Sequence, residues 1–387
     1  MMTKKEKKSK KGLLGTILSL VLMILAAEKC AEYGTYLLMD YMYYSDIVIP
    51  NENLELFFLI AGVLLLMYLS LYLQLILHEA GHLVFGLISG YKFASFRVGS
   101  FIFIKKDGKL RVKRYSLMGT GGQCLMSPPP MKDGKYPVVL YNLGGCLMNL
   151  IVSAVNILLF FFLPSSSPFV LFVLSAFFLD MAIMGVYHAV VNGIPMRVGA
   201  INNDGRNALT LGKNPSAAKA IWTHLSVYAY QVKDTSLSDV PDELFYEPTD
   251  EELSDPIVAG YATEVFNRYL DEGDYDKAEA WGWHILESSV GILPVHKLAL
   301  NGELMFLAIL KGADSEIVDG FMTNDMKRYL KASKRSPSAA RIGYAYETSR
   351  GNAAGAEKYR AQFEKTARRY PFEGDIRLER RLMKRLG

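Results

Sequence analysis

Residues 71–89, LYLQLILHEAGHLVFGLIS, place the pentad His78-Glu79-Ala80-Gly81-His82 inside a long apolar run. Positions four apart return to the same face of a helix, so His78 and His82 can offer two ring nitrogens to one metal ion. Glu79 lies beside that face and can accept a proton from a metal-bound water, as in the H-E-x-x-H metallohydrolases. Ionisable side chains are costly in lipid. Their setting therefore favours a zinc site over hydrogen-bonded helix residues.

The composition indicates a membrane domain joined to a soluble one. The chain has 387 residues, 51% of them apolar, and a net charge of only +4. Its cysteines, Cys30, Cys124 and Cys146, match neither a disulfide framework nor a Cys-x-x-Cys metal site, and we interpret them as small apolar residues. No nucleic-acid-binding motif is present, and membrane orientation explains the basic residues better than phosphate binding does. We therefore expect no nucleic-acid partner.

The hydrophobic pattern predicts a multi-pass integral membrane protein with about four spans. Apolar runs cover roughly residues 13–27, 54–89, 136–163 and 169–191. A lysine-rich segment precedes the first run and an acidic loop, residues 28–56, follows it, so the N-terminus is expected in the cytoplasm. No small-residue cleavage site follows the first run, which favours an uncleaved span over a signal peptide. The C-terminus is also expected in the cytoplasm, and a bacterial plasma membrane suits this pattern.

A basic segment, residues 91–135, separates the second and third spans. Within it, SFRVGSFIFI and KLRVKRYSL flank an Asp107-Gly108 turn, which predicts a β-hairpin. The hairpin is either an ordinary surface element or a membrane-associated one that offers a strand edge to an extended peptide. We expect a small sheet here, in an otherwise all-α fold.

The C-terminal part predicts a cytoplasmic α-helical domain. Gly273-Asp-Tyr-Asp-Lys-Ala-Glu279 is echoed by Gly351-Asn-Ala-Ala-Gly-Ala-Glu357, which indicates helix pairs repeating about every 39 residues. This resembles tetratricopeptide (TPR) repeats, with the small Ala278 and Ala356 at close helix contacts. A generic helical bundle also fits. The predicted divisions are 1–53 (first span and outer loop), 54–214 (zinc-site core), 215–256 (helix and acidic linker) and 257–387 (helical domain).

A hydrolytic zinc centre needs a third protein ligand, because such sites use three ligands and keep a fourth position for water. That ligand must lie at the depth of the two histidines, near the inner end of a span. Asp204, followed by Gly205 just after the fourth span, meets this requirement. Asp180 lies nearer the outer half of its span. His188, one turn before Asn192, is the remaining alternative.

With these motifs in place, the chain resembles the site-2 protease family of intramembrane zinc metalloproteases over roughly residues 54–212. The resemblance rests on the pentad, on Gly144-Gly145-Cys146-Leu147-Met148-Asn149, and on Asn192-Gly-Ile-Pro195 followed by Asn203-Asp204-Gly205. It implies Zn²⁺ as cofactor, His78, His82 and Asp204 as ligands, and Glu79 as the group that activates water. It also implies a substrate-binding role for Gly144, Gly145 and Asn149. Cys146 stands where the family often has proline, and extra residues separate Pro195 from Asp204.

The resemblance implies a metalloendopeptidase that cleaves a single-span membrane protein or peptide within or near its membrane segment, in contact with the lipid bilayer. The helical C-terminal domain lies outside the resemblance and is expected to bind a cytoplasmic protein partner. One alternative is a membrane-tethered helical-repeat scaffold with a structural or vestigial zinc site. Another is a zinc hydrolase that acts on a lipid or other non-peptide substrate.

Overall fold

The computed structural model describes residues 52–106, 108–115, 120–163, 169–198, 201–289 and 291–386, together with isolated positions between 17 and 36. This part of the chain is mostly helical and contains a small four-stranded antiparallel sheet. Most of the predicted first span, the outer loop that follows it, and the turn at 164–168 lie outside the described residues. The described chain forms two compact units.

The first unit comprises Met1–Tyr91, Gly121–Cys124 and Pro137–Lys213. Its main elements are helices α1 (Glu52–Ile88), α2 (Val139–Phe162) and α3 (Phe169–Gly193). Within the described residues, three segments are long and apolar enough to cross a membrane, namely Ile60–Ile88, Val139–Phe162 and Val173–Gly193. These are the predicted second, third and fourth spans.

The three long helices turn apolar side chains outward and polar ones inward. Phe161 and Phe162 on α2 are 74% and 82% exposed, as expected for a surface that faces lipid rather than water. Four of the five buried polar side chains that the structure describes on α1 recur every four residues, at Ser70, Gln74, His78 and His82, and the fifth is Glu79. This spacing puts the four on one helical face, which is the face that carries the pentad.

Two glycines bring α1 and α2 into backbone contact beside the pentad. A Cβ on Gly81 would lie 2.3 Å from the Gly144 carbonyl oxygen, and a Cβ on Gly144 would lie 2.7 Å from the Gly81 oxygen. No side chain fits at such separations. The helices therefore cross closely because both positions are glycine. After α3, the short strands β5 (Arg197–Val198) and β6 (Ile201–Asn202) pair and lead into α4 (Asp204–Lys213).

The second unit comprises Lys92–Thr120, Leu125–Tyr136 and Asn214–Gly387. The strands β1 (Lys92–Val98), β2 (Phe101–Lys106) and β3 (Lys109–Arg114) belong to this unit, whereas β4 (Gly122–Ser127) is divided between the two units; the order in the sheet is β3-β2-β1-β4. Lys106 pairs with Lys109 and Gly108 has φ 74°, so β2 and β3 form the predicted hairpin at the predicted turn. Asp107 itself lies outside the described residues.

The rest of the second unit is helical. It begins with α5 (Pro215–Gln231) and continues through α6 (Asp250–Leu253), α7 (Pro256–Glu272), α8 (Tyr275–Ser288), α9 (Pro294–Leu310), α10 (Ser315–Phe321), α11 (Asn324–Ala332), α12 (Pro337–Ser349), α13 (Ala353–Ala367) and α14 (Glu373–Met383). Short 3₁₀ turns cover Leu237–Asp239, Asp242–Leu244 and Lys384–Leu386.

The echoed sequence motif corresponds to a repeated turn between helices. Gly273 and Gly351 both adopt a left-handed conformation, with φ 82° and 68°. The residue after each glycine caps the next helix, since Asp274 accepts a hydrogen bond from the Lys277 N–H and Asn352 accepts one from the Gly355 N–H. The turn is therefore repeated, whereas assignment to the TPR class stays a prediction.

Candidate metal centre

Three donor atoms from two separate segments converge in the first unit. His78 Nε2 lies 2.9 Å from Asp204 Oδ2 and 3.2 Å from His82 Nε2, and His82 Nε2 lies 3.5 Å from Asp204 Oδ2. Ligands bound tetrahedrally at zinc–nitrogen and zinc–oxygen bond lengths stand about 3.3 Å apart. The three separations lie on either side of this value, so small shifts of the donor atoms would accommodate a zinc ion.

Hydrogen bonds at the Nδ1 atoms of His78 and His82 determine which ring nitrogen is free to bind a metal. His78 Nδ1 lies 2.7 Å from Asn149 Oδ1, and His82 Nδ1 lies 2.8 Å from the Tyr141 carbonyl oxygen. The Asn149 amide nitrogen donates to the Gln74 carbonyl and to Gln74 Oε1, which leaves its oxygen toward the histidine. Both Nδ1 atoms must then carry the hydrogen, so in the neutral rings both Nε2 lone pairs point at Asp204. Three converging lone pairs call for a cation.

Asp204 reaches the histidines because its neighbours hold the chain at the start of α4. Asn203 Nδ2 donates to the carbonyl oxygens of Val191 (2.7 Å) and Ile194 (2.6 Å), at the end of α3 and just beyond it. Asn203 Oδ1 accepts from the Arg206 N–H and so caps α4. A Cβ on Gly205 would lie 2.0 Å from the Gly193 oxygen. The Asn-Asp-Gly sequence is thus needed for this turn, which places the Asp204 carboxylate beside the two histidines.

The electrostatic surroundings keep the Asp204 carboxylate ionised. Burial alone raises the pKa of this carboxyl, but when His78 and His82 are protonated their hydrogen bonds and positive charge outweigh burial and lower its pKa below the usual value. An ionised carboxylate is the form that binds a metal.

Glu79 lies against the first residues of β4. Its side chain is 7% exposed. A Cβ on Gly122 would lie 2.5 Å from both Glu79 Cγ and Oε1. Glycine at 122 is therefore required for the backbone of β4 to pass beside this carboxylate. Glu79 adjoins the ligand set, being next to His78 in sequence, but it is not one of the converging donors.

The predicted substrate-binding residues are positioned around the histidines instead of lining an open cleft. Gly144 forms the close contact with Gly81, and a Cβ on Gly145 would lie 2.5 Å from the His78 ring. Asn149 is fully buried, and its amide atoms are engaged by His78 and Gln74. These contacts orient the His78 ring. A role for these residues in substrate binding stays a prediction.

Gln74 was missed by the sequence reasoning. It accepts from Asn149 through Oε1 and donates through Nε2 to the Met181 carbonyl oxygen at 2.7 Å, which links α1, α2 and α3. The signal was available, since Gln74 precedes His78 by four residues and so occupies the same face of α1.

Two further side chains border the donor set. The sulfur of Cys146 lies within 4.8 Å of the ligand atoms of His78 and Asp204. The donor set that contains His82 is tighter, with its Nε2 at 3.2 Å from His78 Nε2 and 3.5 Å from Asp204 Oδ2. The His188 ring centroid is 6.4 Å from that of His78, and its Nε2 is buried without a hydrogen-bond partner among the described residues. His188 is therefore a neighbour of the donor set and not a member.

Comparison of the chain with family models, curated proteins and solved structures found no significant match.

Proposed function

We propose that the chain is an intramembrane zinc endopeptidase of the site-2 protease type. The observation that carries this proposal is the convergence of His78 Nε2, His82 Nε2 and Asp204 Oδ2 at zinc-ligand separations. Two of these ligands lie on a helix long and apolar enough to cross a membrane. Buried polar groups in such a helix are expensive and are kept for function.

The residues divide the work of peptide hydrolysis among them. His78, His82 and Asp204 would hold the metal, and Asn149 and the Tyr141 carbonyl would orient the two imidazoles. When bound, zinc supplies a Lewis acid that polarises the scissile carbonyl and lowers the pKa of a water ligand. Glu79, beside the ligands, takes the proton from the attacking water and returns it to the leaving amine.

A transmembrane substrate must be unwound locally, because a lipid-embedded helix keeps every peptide group hydrogen-bonded within itself. An exposed strand edge can replace those hydrogen bonds by pairing with the opened segment. The sequence analysis gives the hairpin, now formed by β2 and β3, as one candidate for this role. The strand whose residues lie against Glu79 is β4, at the opposite edge of the sheet from β3. We therefore assign substrate capture to β4.

The decisive experiment pairs metal content with cleavage. We expect purified wild-type protein to hold one zinc ion and to cleave single-span peptides in detergent. Glu79→Gln should retain zinc and lose cleavage, because it removes the proton acceptor and none of the ligands. Substantial cleavage by Glu79→Gln would refute the assignment.

Variants of Asp204 and of His188 test which of these two residues is the third metal ligand. Asp204→Ala should lose zinc, whereas His188→Ala, which alters the neighbouring histidine, should keep it. The reverse pattern would mean that His188 is the ligand. A wild-type protein without zinc after metal-preserving purification would favour the scaffold. Zinc with no peptide cleavage would favour the hydrolase of a non-peptide substrate.

The remaining parts of the proposal concern partners and location. The substrate is a single-span membrane protein or peptide, and the helical domain binds a cytoplasmic protein. The protein lies in a plasma membrane with both termini in the cytoplasm. Protease accessibility of terminal tags in sealed vesicles tests this orientation.

A further inference from the structure

The second unit contains a groove of about 830 Å³ that is lined by basic side chains. Its charged residues are Arg114, Lys334, Arg335, Lys358, Lys365 and Arg369, and no aspartate or glutamate lines it. We call it the basic groove. Three of its members come from one stretch, since Lys358 and Lys365 lie on α13 and Arg369 follows two residues after it. Lys334 and Arg335 lie between α11 and α12.

The charges of the basic groove are not neutralised within the protein. None of the six side chains forms an ion pair in the described part of the chain, although many other lysines and arginines there do. The whole chain is nearly balanced, with 43 basic and 39 acidic residues. Six unpaired cations around one groove are therefore a local excess. Gln362, which also lines the groove, has a buried Nε2 donor without a partner. Both features call for an anionic ligand.

An exposed apolar surface adjoins the basic groove. Phe101, Leu110 and Val112 on strands β2 and β3 are 48%, 61% and 55% exposed. Phe101 pairs with Arg114 in the antiparallel register, and these two residues also line the groove. We call Phe101, Leu110 and Val112 the hairpin face.

On the opposite side of the hairpin, the apolar side chains of β2 are buried. Ile102 and Ile104 pack against Tyr228, Val232 and Phe372 within the same unit. The apolar side chains of the hairpin face therefore do not contribute to the packing of the sheet, and they are available for contact with other molecules.

We propose that the basic groove and the hairpin face bind the surface of an anionic membrane, with lipid phosphates in the groove and the apolar side chains among the acyl chains. Basic residues beside exposed apolar ones are typical of surfaces that lie in the membrane interface. A soluble polyanion would satisfy the cations alone. It would leave Phe101, Leu110 and Val112 in water, which is why we favour the lipid.

The first test measures protection of the groove lysines in a bilayer. The full chain is placed in nanodiscs of phosphatidylcholine alone or with phosphatidylglycerol, and lysine acetylation rates are read by mass spectrometry. Lys358 and Lys365 should react at least threefold more slowly when phosphatidylglycerol is present. Lys327 and Lys331, exposed on α11 and outside the groove, should not change. The proposal would be overturned if adding phosphatidylglycerol changed the acetylation rate by the same factor at all four lysines, or at none of them.

The second test uses charge variants and a soluble probe. The triple variant Lys358→Gln/Lys365→Gln/Arg369→Gln should bind dihexanoyl phosphatidylglycerol at least about fivefold more weakly, since one basic residue beside an anionic headgroup contributes about fivefold. The matched control Lys327→Gln/Arg328→Gln/Lys331→Gln loses the same charge on α11 and should bind like wild type.

A soluble anion, tripolyphosphate, distinguishes binding of lipid headgroups from binding of free phosphate. Tripolyphosphate added to phosphatidylcholine nanodiscs should protect the groove lysines less than phosphatidylglycerol does. Protection by tripolyphosphate without protection by phosphatidylglycerol would overturn the membrane assignment. Equal weakening in the groove triple and the α11 triple would overturn the assignment of the groove.

Discussion

Replacing Gly81 by alanine should disrupt the metal centre without touching a ligand. A Cβ at this position would lie 2.3 Å from the Gly144 oxygen and 2.6 Å from the Met148 Cβ. Ordinary van der Waals contacts between such atoms begin near 3.4 Å. The crossing of α1 and α2 would therefore have to open by about 1 Å.

The expected magnitude follows from that displacement. Overpacking a close contact costs about 1–3 kcal/mol, which lowers Tm by roughly 3–10 °C for a unit of this size. Metal ligands tolerate only about 0.2 Å of error in bond length, and disturbing the groups that orient them weakens metal binding about 10–100-fold. We expect both effects, because His82 follows Gly81 and moves with it.

The assay is chelator competition for zinc combined with thermal unfolding in detergent. Gly62→Ala is the matched control, since Gly62 lies on the same helix and a Cβ there meets nothing within 4 Å. This control should keep wild-type zinc affinity, with a stability change within about 1 kcal/mol. If Gly81→Ala matched Gly62→Ala in both affinity and Tm, the close helix crossing would not be what positions the histidines.

Three further predictions concern other positions. Cys146→Ala should leave zinc content unchanged and affinity within about threefold, because His82 completes the set; loss of zinc on elemental analysis would make Cys146 a ligand. Asn149→Leu removes the acceptor for the His78 Nδ1–H and should weaken zinc binding about 10–100-fold in the same competition assay, without changing the ligands. Burial raises the pKa of Asp375 to about 7, with a further contribution from the charge of Glu379, so its ionisation opposes folding increasingly as pH rises from about 4 to 7. Asp375→Asn should therefore gain about 2 kcal/mol relative to wild type between pH 5 and pH 8, seen as a Tm difference that grows with pH; a constant difference would contradict this.

The pentad could be predicted from sequence because its members lie on one helix. Helical periodicity fixes the relation of His78 to His82, and an apolar setting makes any polar residue informative. The same reasoning extends to Gln74, whose four-residue spacing before His78 was visible but not used. Asp204 was expected from its depth beside the fourth span, and the donor distances agree with that expectation.

Contacts made by glycines were harder to predict. Gly122 lies beside Glu79 and Gly145 lies beside the His78 ring, and a side chain at either glycine would collide with that neighbour. A sequence does not indicate which distant group requires that space. The substrate-binding role that the resemblance implies for Gly144, Gly145 and Asn149 stays a prediction, and their contacts in the structure also position a helix and an imidazole ring.

The helical part of the second unit was predictable only where a local rule applied. The Gly-Asx turns at Gly273 and Gly351 are local, and their echo in the sequence predicted repeated helix pairs. Arg341, by contrast, is buried and pairs with Glu303 and Glu379, each 38 residues away. Charged residues on amphipathic helices ordinarily face water, so nothing local distinguishes such a triad from a solvated surface.

The basic groove, like the Arg341 triad, could not be predicted from local sequence and is visible only in the folded structure. Its cations are spread from Arg114 to Arg369, and each stretch alone is an ordinary basic surface. A polar residue in a membrane helix is informative because lipid makes it costly, whereas a lysine on a soluble helix costs nothing and indicates nothing by itself. The groove becomes informative once folding brings six cations together without an acid. Sequence therefore predicts the candidate metal centre on the apolar helices better than the basic groove of the second unit, because apolar surroundings, not the residue type, make a charge informative.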